Sequence, residues 1–349
     1  MMDRKRKCIS IIIVTWNGKK YIEALLSSLS KKIQKYPDVE VIIVDNGSSD
    51  GTPEIVESFA KVLKEQLVLK RLSKNLGFAG GNNIGIKLAK GDLIFLLNQD
   101  TYLSNDAFEH ILQIFSSDPR VGAVQCLLLQ YRYPCLLDSC GDEFSSIGIG
   151  IIGCLGDKYE DALKKIRKRE ITLARGAALI IRRKILDLSR RIYGTYLPTY
   201  LVAAYYEDWF LSAFTRASGY RILLIPECKV YHDSLKPIYR DPYTLYNAVN
   251  IFIQFRAPIS MILGTIGVIS FSSLFISKQP LKLLLCLISL LRKFKKNLQI
   301  RFYLDELMKL RGVHTKNIWK GKKSPTTALR WYFGYQQLIR EVSKLHAKF

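Results

Sequence analysis

The chain has 349 residues, 48% hydrophobic and 24% charged, enough for one large α/β domain with an appendage or two modest domains, and too apolar to be disordered by composition. Its 53 Lys and Arg against 30 Asp and Glu give a formal charge of +23, which attracts anions such as nucleic acid, acidic lipid headgroups or phosphorylated substrates. Residues 292–349 hold 15 Lys or Arg against 3 Asp or Glu, so much of the excess belongs to the end of the chain.

Seven cysteines (8, 126, 135, 140, 154, 228 and 286) form an odd set without a CxxC pair. They read as scattered, reduced thiols in a cytosolic compartment, with a bridge or metal pair between Cys135 and Cys140 as the lesser alternative. The apolar run 9–14 follows basic residues but ends at Trp16-Asn17-Gly18 with no small-residue cleavage site. It reads as a buried strand, not a signal peptide.

In chain order, strands are expected over 8–14 and 39–44, each β-branched and closed by a polar turn. Ile22, Leu25, Leu26 and Leu29 mark one helix between them, and Thr52-Pro53 opens another. A third strand spans 66–72, a helix 79–90 stops at Gly91, and an almost wholly apolar strand follows over 92–97. Ser104 caps a further helix with Phe108, Ile111, Leu112 and Phe115 inward, followed by strands at 121–129 and 177–181. The Gly-containing stretch 130–174 reads as a long irregular segment. A helix over 206–218 and strands at 220–225 and 229–231 complete the pattern. Strands alternating with helices imply a mostly parallel sheet covered on both faces, with ligands outside the carboxyl ends of its strands.

After Arg256 the character changes. Residues 259–277 carry no charge, and 281–291 form a second apolar run interrupted by Lys282. An in-plane or re-entrant membrane segment is the leading reading, ahead of a transmembrane span or a soluble helix pair. Arg292, Lys293, Lys295 and Lys296 form a cluster suited to anionic lipid. The division expected is a domain over 1–256 (halves 1–128 and 129–256) and an apolar, then basic, helical tail over 257–349.

Chemistry gathers at the strand ends. Thr15-Trp16-Asn17, the string from Asp45 to Thr52, the loop from Asn75 to Asn83, and Asn98-Gln99-Asp100 would present carboxylates, amides and glycines on one rim. Such a rim suits a nucleotide: a carboxylate accepts from base or ribose, amides read base edges, and a helix N-terminus faces a diphosphate. The glycine loop is neither GxGxxG nor GxxxxGK[ST], which excludes the common dinucleotide and P-loop motifs. Taken singly, Asp-Asn-Gly-Ser is ordinary turn chemistry.

Together the strings VTWNGKKYIEALLSSL, VIIVDNGSSDGTPEIV, NLGFAGGNNIGIKLAKGDLIFLLNQDT, RGAALIIRR and YYEDWFLSAFTRASGYRILLIPECKVYH resemble glycosyltransferase family 2, of the rhamnosyltransferase-like group with a GT-A fold. The resemblance implies that Thr15, Asn17, Asp45 and Asn46 hold the nucleoside, and that Asn75, Gly77 and Asn83 line the donor pocket. Asn98-Gln99-Asp100 stands at the family's DxD-like motif, making Asp100 the main ligand for Mg²⁺ or Mn²⁺, with Asn98 on the nucleotide sugar, helping through ribose or water, and His232 a second metal ligand. Glu207-Asp208 matches the acidic pair on the acceptor side, with Asp208 as general base and Glu207 in support, and Tyr205 and Tyr206 as a sugar-stacking surface. The implied activity is inverting transfer from a UDP- or dTDP-sugar, rhamnose first among donors, to a glycan or lipid-linked acceptor at the cytoplasmic face of a membrane. Phe210 replaces an expected Asp, and RRIYGTYLPTYLVAAYYED replaces a glycine-phenylalanine-aspartate string, so the acceptor half is reshaped. Two rivals remain: a catalytically inactive assembly partner and a basic nucleic-acid-binding protein. The second predicts basic residues interleaved with aromatics on the folded domain and leaves the acidic rim unexplained.

Overall fold

The computed structural model describes residues 9–104, 108–146, 150–163, 166, 168–198, 206–234, 242–271 and 280–319. In chain order the elements are β1 (Ile9–Thr15), α1 (Lys19–Ile33), β2 (Val39–Asp45), α2 (Thr52–Leu63), β3 (Leu67–Arg71), α3 (Gly77–Leu88), β4 (Leu93–Leu97), β5 (Thr101–Leu103), α4 (Phe108–Ser117) and β6 (Val121–Gln130). There follow β7 (Leu137–Ser139), β8 (Asp142–Phe144), β9 (Gly150–Ile152), α5 (Tyr159–Leu163), β10 (Arg169–Glu170), β11 (Ala178–Arg182), α6 (Arg183–Tyr193), α7 (Glu207–Ala217), β12 (Arg221–His232), α8 (Pro242–Gln254), α9 (Ile259–Phe271), α10 (Pro280–Leu310) and α11 (Thr315–Ile318).

The main sheet runs β10-β12-β6-β11-β4-β1-β2-β3, with β5 added to β12 and β7 to β6. β1, β2, β3 and β4 pair in parallel, as do β6 and β12, whereas β11 is antiparallel to both of its neighbours. Alternation along each strand feeds two cores. Ile9, Ile11 and Ile13 pack with α1, α2 and α4, while Ile12 and Val14 pack with α3, α7, α8 and α10 on the other face. The chain moves outward from β1 to β3 and then returns to lay β4 against the other side of β1. The strand order therefore reverses between β1 and β4, which opens a crevice at their carboxyl ends.

Three sequence expectations need correction. The stretch 130–174 is not irregular: it holds β7, the β8–β9 hairpin, α5 and β10. Strands of two or three residues are too short for a period-2 pattern to declare them. The two strands expected near 220 and 230 are one, β12, with a register irregularity between Ile225 and Lys229 around Pro226, whose missing N–H accounts for the break.

The cysteines are not scattered thiols. Cys126 pairs with Cys228, and Cys140 pairs with Cys154, as disulfides with Cα atoms 4.9 and 5.6 Å apart. Cys135 is exposed and free, so it bridges neither way with Cys140. The first pair meets only because β6 and β12 are neighbours, and the second because it brackets the β8–β9 hairpin. Neither proximity is visible in linear spacing, and the argument from thiols to a reducing compartment falls with it.

Beyond residue 256 the described parts of α10 and α11 and Trp319 pack on the domain. Leu283, Cys286, Leu290, Ile300, Leu304 and Met308 of α10 lie in the same core as α8, and Trp319 packs edge-on against Phe252 while its indole N–H donates to Phe255 O at 3.0 Å. Asn297 donates to Asn250 and accepts from Gln254, a buried amide chain that fixes α10 against α8. No described helix is long and apolar enough to cross a membrane; α9 covers Ile259–Phe271, and residues 272–279 of the expected apolar segment lie outside the described residues.

Candidate active site

Thr15 ends β1 directly beside Asp45 at the end of β2. Gln99, just past β4, spans the crevice: its Oε1 accepts from Thr15 Oγ1 at 2.6 Å and from Trp16 N at 3.0 Å. Gly18 makes this possible, since a Cβ there would collide with the Gln99 amide and Thr15 Oγ1. Gln99 is a residue that motif reading passed over, because its importance lies in bracing two strand ends and not in its own chemistry.

The other nucleoside candidates divide into wall and opening. Asn17 adopts a positive φ of 48°, and its Oδ1 accepts from Ser49 N at 3.0 Å, which ties the first two rim loops together. Asn46 spends both amide hydrogens on Asn75 Oδ1 and Gly77 O, each at 3.0 Å, and accepts from Leu76 N. Asn75 also accepts from Gly77 N at 2.8 Å, and Gly77 takes a φ of 74° to open α3. Asn83 clasps the backbone of Leu197 in both directions, at 2.8 and 2.9 Å. These four side chains build the walls. Asp45 is different: it is 1% exposed, Oδ2 accepts from Ser48 N at 3.2 Å, and Oδ1 is buried with no protein donor.

On the far side of the crevice, Asn98 donates its N–H to Ala177 O, and its side-chain Oδ1 is likewise buried without a protein donor. Asp100 and His232 face each other because β5 pairs with the end of β12. His232 Nε2 is 3.5 Å from Asp100 Oδ1, and Nδ1 is 2.8 Å from Asp138 Oδ2. Burial alone would disfavour the imidazolium, but the two carboxylates outweigh it and raise the ring to about 9. Asp138 is fully buried, which opposes ionisation; Arg175, His232 and Ser234 overcome that and hold it below the usual carboxylate range. One carboxylate and one imidazole facing each other are donors that suit Mg²⁺ or Mn²⁺. Among the described residues no three His, Cys, Asp or Glu side chains group to hold a metal alone, so the remaining ligands would be substrate oxygens and water.

The acidic pair opens α7. Glu207 is buried at 4% exposure, whereas Asp208 is half-buried. Asp208 Oδ2 accepts from Gly176 N at 3.3 Å and Oδ1 from Trp209 N at 2.9 Å. Gly176 adjoins Ala177, whose carbonyl holds Asn98, so the acidic pair and the Asn98–Asp100 turn share one rim. Burial raises Asp208 above the ordinary carboxylate range, against the pull of Arg175 and the backbone N–H groups. Arg175 lies 3.4 Å from Asp138 and 3.7 Å from Asp142, and burial pushes Asp142 to about 7 despite that cation. Tyr206, at a φ of 75° just before α7, packs edge-on against Trp209; Tyr205 lies outside the described residues. Phe210, where the resemblance expected Asp, is fully buried core. Asp138 and Asp142 carried no sequence signal, because they sit on three-residue strands within an apparent loop; Arg175 opens the RGAALIIRR string, which assigns it no role.

This arrangement defines a class, the GT-A glycosyltransferase fold. GalNAc-T7 with UDP, GalNAc and Mn²⁺ superposes at a TM-score of 0.57 and 17% identity, covering 72% of this chain and 48% of that one. TarS 1–349 of S. aureus superposes at 0.52 and 17%, covering 97% and 92%. Identities this low speak for the fold alone. Within that class, residues 10–134 match the model of glycosyl transferase family 2. The poly-beta-1,6-N-acetyl-D-glucosamine synthase of Staphylococcus epidermidis is 34% identical over 116 residues, 33% of this chain. The match spans 27% of that relative's length.

Proposed function

We propose that the protein is an inverting glycosyltransferase that moves a sugar from a nucleoside diphosphate to a glycan or lipid-linked acceptor. The observation that carries this reading is the meeting, at the β1–β4 switch point, of two buried oxygens without protein donors (Asp45 Oδ1 and Asn98 Oδ1) with Asp100, His232 and the half-buried Asp208. Asp45 Oδ1 receives a donor N–H or O–H from the nucleoside, while Thr15 and Asn17 hold the loops that enclose it. The donor reading is a pyrimidine diphosphate, UDP or dTDP, with rhamnose as the sugar that the rhamnosyltransferase-like resemblance favours.

Asp208 accepts the proton of the attacking hydroxyl as its oxygen bonds to the anomeric carbon from the face opposite the diphosphate. The anomeric C–O bond breaks with its electron pair leaving on the nucleoside diphosphate. Two backbone N–H groups aim the Asp208 carboxylate, and its partial exposure lets an acceptor reach it; Glu207, deeper in the helix turn, supports this end of α7. A divalent cation held by Asp100 and His232 would supply charge neutralisation for the departing diphosphate. The nucleic-acid reading gives no reason for this buried acidic rim.

Nucleoside diphosphate release from a panel of nucleotide sugars, with membrane glycolipid extract as acceptor, tests the assignment. Asp208→Asn should lower kcat by roughly 10²–10⁴-fold while donor binding is retained. Equal turnover by wild type and Asp208→Asn would remove Asp208 from the chemistry.

A further inference from the structure

His232 has two ring nitrogens, and only one of them faces the rim. Nε2 lies 3.5 Å from Asp100 Oδ1, and Nδ1 lies 2.8 Å from Asp138 Oδ2. Asp138 is 0% exposed on β7, and its other oxygen, Oδ1, is within reach of Ser234 Oγ at 2.6 Å, Gln130 Nε2 at 3.1 Å and Arg175 Nη1 at 3.4 Å. Gln130 is the register partner of His232 across β6 and β12, and Ser234 follows two residues later. The same strand pair that delivers the histidine thus delivers the groups that hold its carboxylate. Two residues beyond Asp138, Cys140 is tied to Cys154, which fastens β7 to the hairpin that follows.

A carboxylate buried this completely costs more to desolvate than an Arg pair alone returns, so its place invites a reason other than stability. An ionised carboxylate only accepts hydrogen bonds, so the Nδ1 beside it carries the proton. Nε2, which faces Asp100 across 3.5 Å, is then the nitrogen at which a cation could take the place of a proton. We infer that Asp138 is a positioning residue that fixes the ring plane and tautomer of His232 so that Nε2 can bind a divalent cation together with Asp100. This rests on the metal reading of the rim given above, and it adds a carboxylate–imidazole–metal relay that runs from β7 to the donor site.

Mn²⁺ binding to the full chain, followed by electron paramagnetic resonance with the metal alone, tests it. Asp138→Ala should weaken Mn²⁺ binding by about 10–100-fold and Asp138→Asn by less, because an amide oxygen still accepts from Nδ1–H but adds no basicity. The double variant His232→Ala/Asp138→Ala should bind no more weakly than His232→Ala. Thermal melts without Mn²⁺ report folding, and if Asp138→Ala does not fold, Asp138→Asn and Ser234→Ala carry the test. Wild-type affinity in the Asp138 variants alongside loss in His232→Ala would overturn the positioning role and leave the metal site standing. Unchanged affinity in His232→Ala itself would overturn both.

Discussion

Asp208 is useful as a base only while it is ionised, and its surroundings pull in two directions. Burial raises its pKa, and Arg175 and two backbone N–H groups lower it, with burial prevailing. The rate should therefore fall on the acid side at a pH above the ordinary carboxylate value of about 4. Arg175→Gln removes the opposing cation, raises Asp208 further, and should move the acid limb of kcat/KM to higher pH. A limb that stays put, or moves to lower pH, would show that another group sets it. Asp100, Asp208 and His232 were legible because each ends or opens an element at a strand-end position of a recognisable string. Their supports were not. Gln99, Asp138 and Arg175 act through contacts 84, 94 and 37 residues away in sequence, which no local pattern encodes.

At the scale of elements, the glycine-rich loop reads differently once folded. Gly77 serves the turn into α3, but Gly81 and Gly85 serve packing, since a Cβ at either would strike Val14 or Ile12 of β1. Gly81→Val should cost roughly 1–3 kcal/mol by overpacking this seam, measured by denaturant unfolding. A neutral result would mean that α3 has room to retreat. The long parallel strands and their covering helices were legible because their apolar runs reach five to ten residues. The short strands of 137–170 were not, and neither was the antiparallel direction of β11, since an apolar run carries no polarity of its own. Asn297 makes a second case: Asn297→Ala should lose about 1–3 kcal/mol by leaving Asn250 and Gln254 without their buried partner.

For the whole molecule, the question is what the outer face of α10 meets. Its inner face is buried against α8, yet Leu281, Leu284, Leu285, Leu291, Phe294 and Leu298 are exposed, Leu291 at 77%. Lys282, Arg292, Lys293, Lys295 and Lys296 flank them. Apolar side chains rimmed by cations fit an anionic bilayer surface, and we propose such a surface, at a cytoplasmic face, as a partner of α10. Binding to phosphatidylserine vesicles should exceed binding to phosphatidylcholine vesicles, and Leu284→Ser/Leu291→Ser should weaken it several-fold. Equal binding to both vesicle types, unaffected by these changes, would contradict a docking role for α10.

All of this depends on the crevice at β1 and β4 being a donor site. Thermal stabilisation by UDP, dTDP, GDP and ADP, with and without Mn²⁺, on wild type and Asp100→Ala, tests that most directly. A Mn²⁺-dependent rise in melting temperature with one pyrimidine diphosphate, lost in Asp100→Ala, is the result expected. No response to any diphosphate from a folded protein would contradict the donor site and point to a catalytically inactive partner.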